Sequence, residues 1–381
     1  MLKTTGARLF GTFLGYMVLV ILLLTLNPFY LGPSTQVNFT FHTTLDNFVA
    51  NILLFLPIGF FYRLATARRD AFLLGAGLSL SIETTQLFIP ARTSSAMDIL
   101  ANTLGAGLGA VLPDLVSTRW VITPNLMGRL RLETPLMGLI YLLIPLLWID
   151  VLALNESLHR WILTLLLSLC GAIIFSNLFR HWWKSVNVQM IGYACLASGT
   201  WFVIGAGPIL MRPLPVLIIA CGVLMLTGIL TVLPRSAKER RFERSTLNFL
   251  IPFFVLYLCL VALGFPMSSL RPWHGMFGFT ERIADTSLQF LYPRLEHLAA
   301  FTVFGYLIAE WRGRSELPLR HDLPRLFLVA TAMALALEIL SGFQSGQGAS
   351  FIRLVVAVTG ALFGGTIYHM ARAHIRFLLG R

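Results

Sequence analysis

The residues in this chain best suited to chemistry are polar side chains that interrupt long apolar segments in its N-terminal part. They occur in three pairs, and a spacing of three or four positions places both members of each pair on one face of a helix. The pairs are Asn47 with Asn51, Glu83 with Gln86, and Asp98 with Asn102. A charge in the middle of a bilayer costs about 2.5–3.5 kcal/mol or more, so we expect these residues to have a specific role.

The chemistry that this set could perform follows from its residue types. Glu83 and Asp98 offer two carboxylates for acid–base work or for holding a cation. Arg92 follows in the short loop between them and can donate two parallel hydrogen bonds to a phosphate or carboxylate. The amides suit the hydroxyl and amide groups of a sugar or peptide. The predicted binding residues are therefore Asn47, Asn51, Glu83, Gln86, Arg92, Asp98 and Asn102.

A structural role is the alternative for the same residues, because Gln86, Asn51 or Arg92 could hold Glu83 simply to lock helices together. A catalytic role for the carboxylates also stays open. The glycine pairs Gly11–Gly15 and Gly105–Gly109 have the spacing that allows helices to approach closely, and we interpret them as packing positions.

The elements that carry these residues are those of a membrane protein. Hydrophobic residues make up 56% of the 381 positions and charged residues 12%, against about 25% charged in soluble proteins. This composition excludes a soluble globular enzyme and a disordered chain. The net charge of +12 does not indicate nucleic-acid binding, since the basic residues lie in short loops between apolar segments.

The apolar segments predict an all-α polytopic integral membrane protein with about twelve transmembrane helices. The predicted helices span 9–26, 47–63, 71–89, 96–113, 136–154, 161–179, 188–207, 214–233, 247–264, 295–311, 325–342 and 351–371. When the loops alternate across the membrane, most of the 29 Lys and Arg fall on one side, which predicts a cytoplasmic location for both termini. The three polar pairs then lie in the outer half of the bilayer and face the extracytoplasmic side.

An internal repeat is the second long-range feature. Without gaps, Glu83, Gly105 and Gly109 align with Glu338, Gly360 and Gly364. Both copies have the same predicted orientation, as in parallel repeats of transporters. The predicted organisation is a four-helix unit at 1–113, a cytoplasmic linker at 114–135, a central transmembrane block at 136–233, a basic cytoplasmic linker at 234–246 and a degenerate second unit at 247–381.

The first unit resembles the VanZ-like membrane proteins. The resemblance lies in the segment 46–60 (DNFVANILLFLPIGF), in Glu83-x-x-Gln86 with the loop residue Arg92, and in Asp98-xxx-Asn102-xx-Gly105. It covers 9–113 well and excludes the central block.

The second unit resembles the same family more weakly. His297 and Glu338 are possible counterparts of the first-unit residues, but Arg353 stands at the position that corresponds to Asp98. This exchange puts a second active pocket in doubt.

The resemblance implies a protein of the bacterial inner membrane and cell envelope, because the family's namesake is associated with resistance to the glycopeptide teicoplanin. We therefore expect the pocket to bind the head group of an envelope lipid, a lipid-linked glycan or a glycopeptide, with a link to glycopeptide resistance or surface polysaccharide. The alternatives are a membrane-embedded transferase or hydrolase acting on a lipid-linked sugar, and a transporter or lipid flippase. The sequence indicates no metal site and no cofactor.

Overall fold

The computed structural model describes twelve segments of the chain: residues 4–26, 39–89, 92–117, 124–156, 160–182, 186–207, 213–233, 242–264, 270–276, 288–312, 317–345 and 348–378.

Twelve α-helices make up almost all of these residues, which confirms the predicted all-α class. The first six are α1 (Thr4–Thr25), α2 (Leu45–Thr66), α3 (Ala71–Gln86), α4 (Ala96–Ser117), α5 (Pro124–Glu156) and α6 (Trp161–Trp182). The other six are α7 (Val188–Ala206), α8 (Pro213–Val232), α9 (Phe242–Ala262), α10 (Leu288–Arg312), α11 (Leu319–Ser341) and α12 (Phe351–Leu378).

Nine of the described helices are long and apolar enough to cross a membrane, and α9 carries a shorter apolar stretch at Thr246–Ala262. The chain is thus a polytopic membrane protein. Helix α3, with 16 residues, is about 24 Å long at 1.5 Å per residue, so its C-terminal carboxylate is close to the bundle end.

Helix extends into both predicted linkers. Helix α4 continues to Ser117 and α5 begins at Pro124, so helix occupies most of 114–135; α9 begins at Phe242, within the predicted linker 234–246. Hydropathy identifies only the apolar part of a helix. A polar extension of the same helix has the low hydropathy of a loop and is therefore predicted as one.

Four two-residue strands form two small parallel ladders. In the first, β1 (Phe39–Thr40) pairs with β2 (Ser94–Ser95); in the second, β3 (Gly275–Met276) pairs with β4 (Ala349–Ser350). Each ladder ties the loop before one long helix to the residues that precede another, which fixes the start of α4 and of α12.

Glycines bring α2 and α4 into backbone contact. A Cβ at Gly59 would lie 1.8 Å from the carbonyl oxygen of Ala106, and one at Gly109 would lie 1.9 Å from that of Leu56. Small residues permit this approach in membranes, where packing rather than the hydrophobic effect holds helices together.

The same arrangement recurs between α10 and α12. Gly305 lies against the carbonyl oxygen of Ala361, and Gly364 against that of Thr302. These pairs occupy the aligned positions of the predicted repeat, although a common origin of the two units stays a prediction.

Helix α5 lies at the centre of the bundle and packs against α6, α7, α10 and α12. Its Trp148 is fully buried and donates a hydrogen bond to the carbonyl oxygen of Ile204 at 3.0 Å. Tyr306 of α10 donates to the carbonyl oxygen of Pro135 at 2.8 Å. The first bond joins α5 to α7, and the second joins α10 to α5.

Helix α1 packs against both α2 and α12, and its polarity orients the bundle. Its N-terminal part faces the C-terminal part of α12, where Phe10 contacts His374, while its last residue Thr25 is bonded to the end of α3. We call the end that holds Glu83 and Glu338 the carboxylate end, and the opposite end, with Arg63 and Arg376, the arginine end.

Candidate functional site at the carboxylate end

The first ladder places the loop after α3 over the start of α4. The Ser94 hydroxyl donates to the backbone oxygen of Glu83 at 2.8 Å, and the Ser95 hydroxyl accepts from the Met97 amide at 3.2 Å. Serine favours helix starts because its side chain satisfies amides that have no partner within the helix. Helix α4 therefore begins beside the end of α3.

The two predicted carboxylates come together at this point. Glu83 is 5% exposed, and its Oε2 accepts a hydrogen bond from the Ser95 amide at 2.8 Å. The charge of Asp98 acts directly on Glu83, and Thr43 and Asn51 offer hydrogen-bond donors to the Asp98 carboxylate. Three of the predicted residues thus share one cluster, in which Glu83 is buried and Asn51 and Asp98 are half-buried.

Two acceptor atoms in this region have no hydrogen-bond partner among the residues that the structure describes. Asp98 Oδ1 and Asn102 Oδ1 are both buried and unbonded, one helical turn apart on α4. Asn102 uses its amide nitrogen to donate to Ser79 Oγ on α3 at 2.9 Å. A buried acceptor without a partner costs about 1–3 kcal/mol, so the two oxygens provide a reason to bind a group that carries donors.

The remaining predicted residues differ in their placement. Gln86 donates to the backbone oxygen of Thr25 at 2.9 Å and so connects α3 to α1. Asn47 is exposed, and Arg92 is half-buried two residues before Ser94. The sequence placed both members of each pair on one face, but the structure directs Gln86 to a different neighbour than Glu83.

At the equivalent position of the second unit, Glu338 forms an ion pair with Arg353. Glu338 Oε2 accepts from the Ser350 amide at 2.8 Å, as Glu83 does from Ser95. Arg353 donates from Nε to Glu338 Oε1 at 3.1 Å and from Nη2 to Oε2 at 2.8 Å. Both side chains are buried, so the Glu338 carboxylate is neutralised.

His297, the other predicted counterpart, is buried beside this pair. Its Nδ1 lies 2.6 Å from the backbone oxygen of Pro293. In the part of the chain that the structure describes, no group of three or more His, Cys, Asp or Glu side chains is placed to hold a metal ion.

A second buried charge network was missed by the sequence analysis. Asp150 and Glu296 are buried beside Arg160, and the same guanidinium nitrogen, Nη2, forms ion pairs with both. Thr164 donates to Asp150 at 2.6 Å, and Tyr257 donates to Glu296 at 3.2 Å. The sequence does place one basic and two acidic residues near the predicted outer ends of three helices. Opposite charges favour pairing in lipid, so this network could have been predicted.

Comparison with known proteins supports the resemblance found in the sequence. The VanZ/LLP1 family model matches residues 10–117, which contain the whole carboxylate cluster of the first unit. No match was found among curated proteins or solved structures. The family match does not extend to the second unit. The N-terminal unit of this polytopic membrane protein is therefore VanZ-like.

Proposed function

We propose that the first unit binds the polar head group of an envelope lipid, a lipid-linked glycan or a glycopeptide at the carboxylate end. The VanZ-like region suggests a connection to glycopeptide resistance, and the predicted topology directs this end to the extracytoplasmic side. Such a head group carries many hydroxyl and amide donors. The cluster formed by Asn51, Glu83, Asp98 and Asn102 supplies mainly acceptors, so the two are complementary.

The observation that carries this proposal is the pair of buried acceptors on α4, Asp98 Oδ1 and Asn102 Oδ1. A purely structural cluster gains stability by satisfying every buried atom, as Arg353 does for Glu338 in the second unit. The first unit leaves these oxygens unbonded, which favours a ligand over a helix lock.

An enzyme is the second candidate because Glu83 and Asp98 are close enough to influence each other's charge. Adjacent carboxylates can divide the roles of proton donor and proton acceptor between them. In that case a lipid-linked sugar would be the substrate of a transferase or hydrolase, and Asp98 or Glu83 would be the general base.

The test exploits the difference between the two units. Asp98→Arg copies the residue at the second-unit position and should neutralise Glu83 while leaving the fold intact. We expect this variant to lose binding of a lipid-linked disaccharide–pentapeptide at least tenfold, measured by native mass spectrometry on the purified full chain. The matched control is the double variant Glu338→Gln with Arg353→Met, which should bind like the wild type.

Two further readouts complete this experiment. Product analysis after incubation with the same lipid distinguishes binding from catalysis, and turnover that disappears in Asp98→Asn would establish the enzyme. Unchanged binding in both Asp98→Arg and Glu83→Gln, at normal levels of folded protein, would remove the cluster as the binding site.

A further inference from the structure

A cavity lies at the arginine end, between α10, α11 and α12. It has a volume of about 490 Å³, within the range of roughly 300–1,000 Å³ typical of small-molecule sites. Three arginines contribute to its wall: Arg312 from the last turn of α10, and Arg372 and Arg376 from the last turns of α12. This cavity is separate from the carboxylate cluster and plays no part in the proposed function above.

The described wall of the cavity carries more positive than negative charge, because it combines three arginines with one carboxylate. Asp322 is buried and lies 3.1 Å from His369 Nε2, and it is the one carboxylate in the cavity wall among the described residues. In the same part of the chain, no ion pair joins Arg372 or Arg376 to a carboxylate. Arg372 instead lies 3.4 Å from the Tyr368 hydroxyl and 6.0 Å from the centre of that ring.

At the corresponding end of the first unit, the arginines are paired with an acid. Asp114 lies five residues after Gly109, as His369 lies five after Gly364, and Asp114 forms ion pairs with Arg63 at 2.9 Å and Arg69 at 3.1 Å. The second unit has a histidine in place of this bridging acid, and among the described residues neither Arg372 nor Arg376 forms an ion pair there.

A neighbouring arginine of the first unit, Arg68, is also paired with a carboxylate. Arg68 contacts Asp70 at 2.6 Å. Partial desolvation acts to raise the pKa of Asp70, but the hydrogen bond from Tyr62 and the Arg68 charge together hold that pKa below its ordinary value, so the carboxylate stays ionised. Arg63, Arg68 and Arg69 of the first unit are therefore all paired with carboxylates.

The remaining wall of the cavity is apolar. Leu317, Leu319 and Met370 line it next to the arginines. Trp311, 48% exposed on the adjacent position of α10, has the amphipathic ring that proteins place at the level of lipid head groups. A guanidinium presents paired donors that match phosphate oxygens, and several together favour a phosphate over a carboxylate.

We propose that this cavity binds the phosphate group of an anionic ligand, with Arg372 and Arg376 as the main contacts and the apolar wall against the rest of the molecule. The phosphate could belong to a membrane lipid or to a soluble phosphate compound, and the experiment separates the two sources.

The test compares two triple variants of the purified full chain that carry the same net charge. In the first, Arg312, Arg372 and Arg376 are changed to Gln. In the control, Arg68→Gln, Arg320→Gln and Arg325→Gln remove three exposed charges outside the cavity wall. Binding of dioleoylphosphatidylglycerol is measured by native mass spectrometry, with and without inorganic phosphate as competitor. A phosphate concentration of about 10 mM is enough to occupy a weak site whose Kd is on the order of 1 mM.

We expect the cavity variant to bind the lipid at least tenfold more weakly, and the control variant to change less than twofold. Displacement by inorganic phosphate would assign the site to a soluble phosphate compound, and persistence of the lipid would assign it to the membrane. Equal losses in both variants would show that only surface charge matters and would overturn the proposal, as would no loss in either. The single variant Arg376→Gln, at an exposed position of the last turn, tests the same site if the triple variant fails to fold.

Discussion

Substitution of Gly59 by alanine tests the backbone contact that aligns the carboxylate cluster. The added Cβ would lie 1.8 Å from the Ala106 carbonyl oxygen and 2.7 Å from the carbonyl carbon. Both partners are helix backbone, so no side chain can rotate to make space. Helices α2 and α4 would have to separate by roughly 1.5 Å to reach an ordinary carbon–oxygen contact of about 3.3 Å.

The expected magnitude follows from two opposing effects. Overpacking of a close contact costs about 1–3 kcal/mol, while replacing a helical glycine by alanine returns about 0.5–1 kcal/mol. Because the clash involves rigid backbone, we expect the upper part of the first range and a net loss of about 1–2 kcal/mol in the free energy of unfolding.

Gly11 provides the matched control, because the sequence places it in the same kind of glycine pair. A Cβ there meets no atom within 4 Å, so Gly11→Ala should stabilise the protein by up to about 1 kcal/mol. The free energies are measured by reversible unfolding of the purified full chain in sodium dodecyl sulfate, followed by tryptophan fluorescence. Equal stability changes of the same sign in the two variants would refute the backbone contact between α2 and α4.

Two further predictions concern the polar contacts. Arg353→Met should destabilise the protein by about 3–5 kcal/mol because it leaves the Glu338 charge buried without compensation. Adding Glu338→Gln should recover most of this loss in the same unfolding measurement. No recovery would mean that the two side chains are not energetically coupled. Gln86→Leu should cost only about 0.5–1.5 kcal/mol through the lost bond to Thr25, with unchanged lipid-linked glycan binding, and a binding defect would instead place Gln86 in the site.

The helical class and the candidate carboxylates could be predicted from the sequence for a simple physical reason. A bilayer demands long apolar helices and penalises every polar atom inside them, so both the helices and the exceptions are visible as local patterns. The aligned glycines were equally visible. The partners of each polar group were not, because Gln86 faces Thr25 and Asn102 faces Ser79 across helix contacts that spacing alone does not specify.

The sequence by itself indicated an all-α membrane protein, showed the resemblance of its first unit to VanZ-like proteins, and pointed to the carboxylates that could act. Only the tertiary structure decided which charges are neutralised. Arg353 closes on Glu338, and Arg160 joins Asp150 to Glu296, while Asp98 and Asn102 each keep an unbonded oxygen. Electrostatic pairing depends on distances of a few ångströms between helices that are far apart in the chain, and those distances are set by packing rather than by local composition.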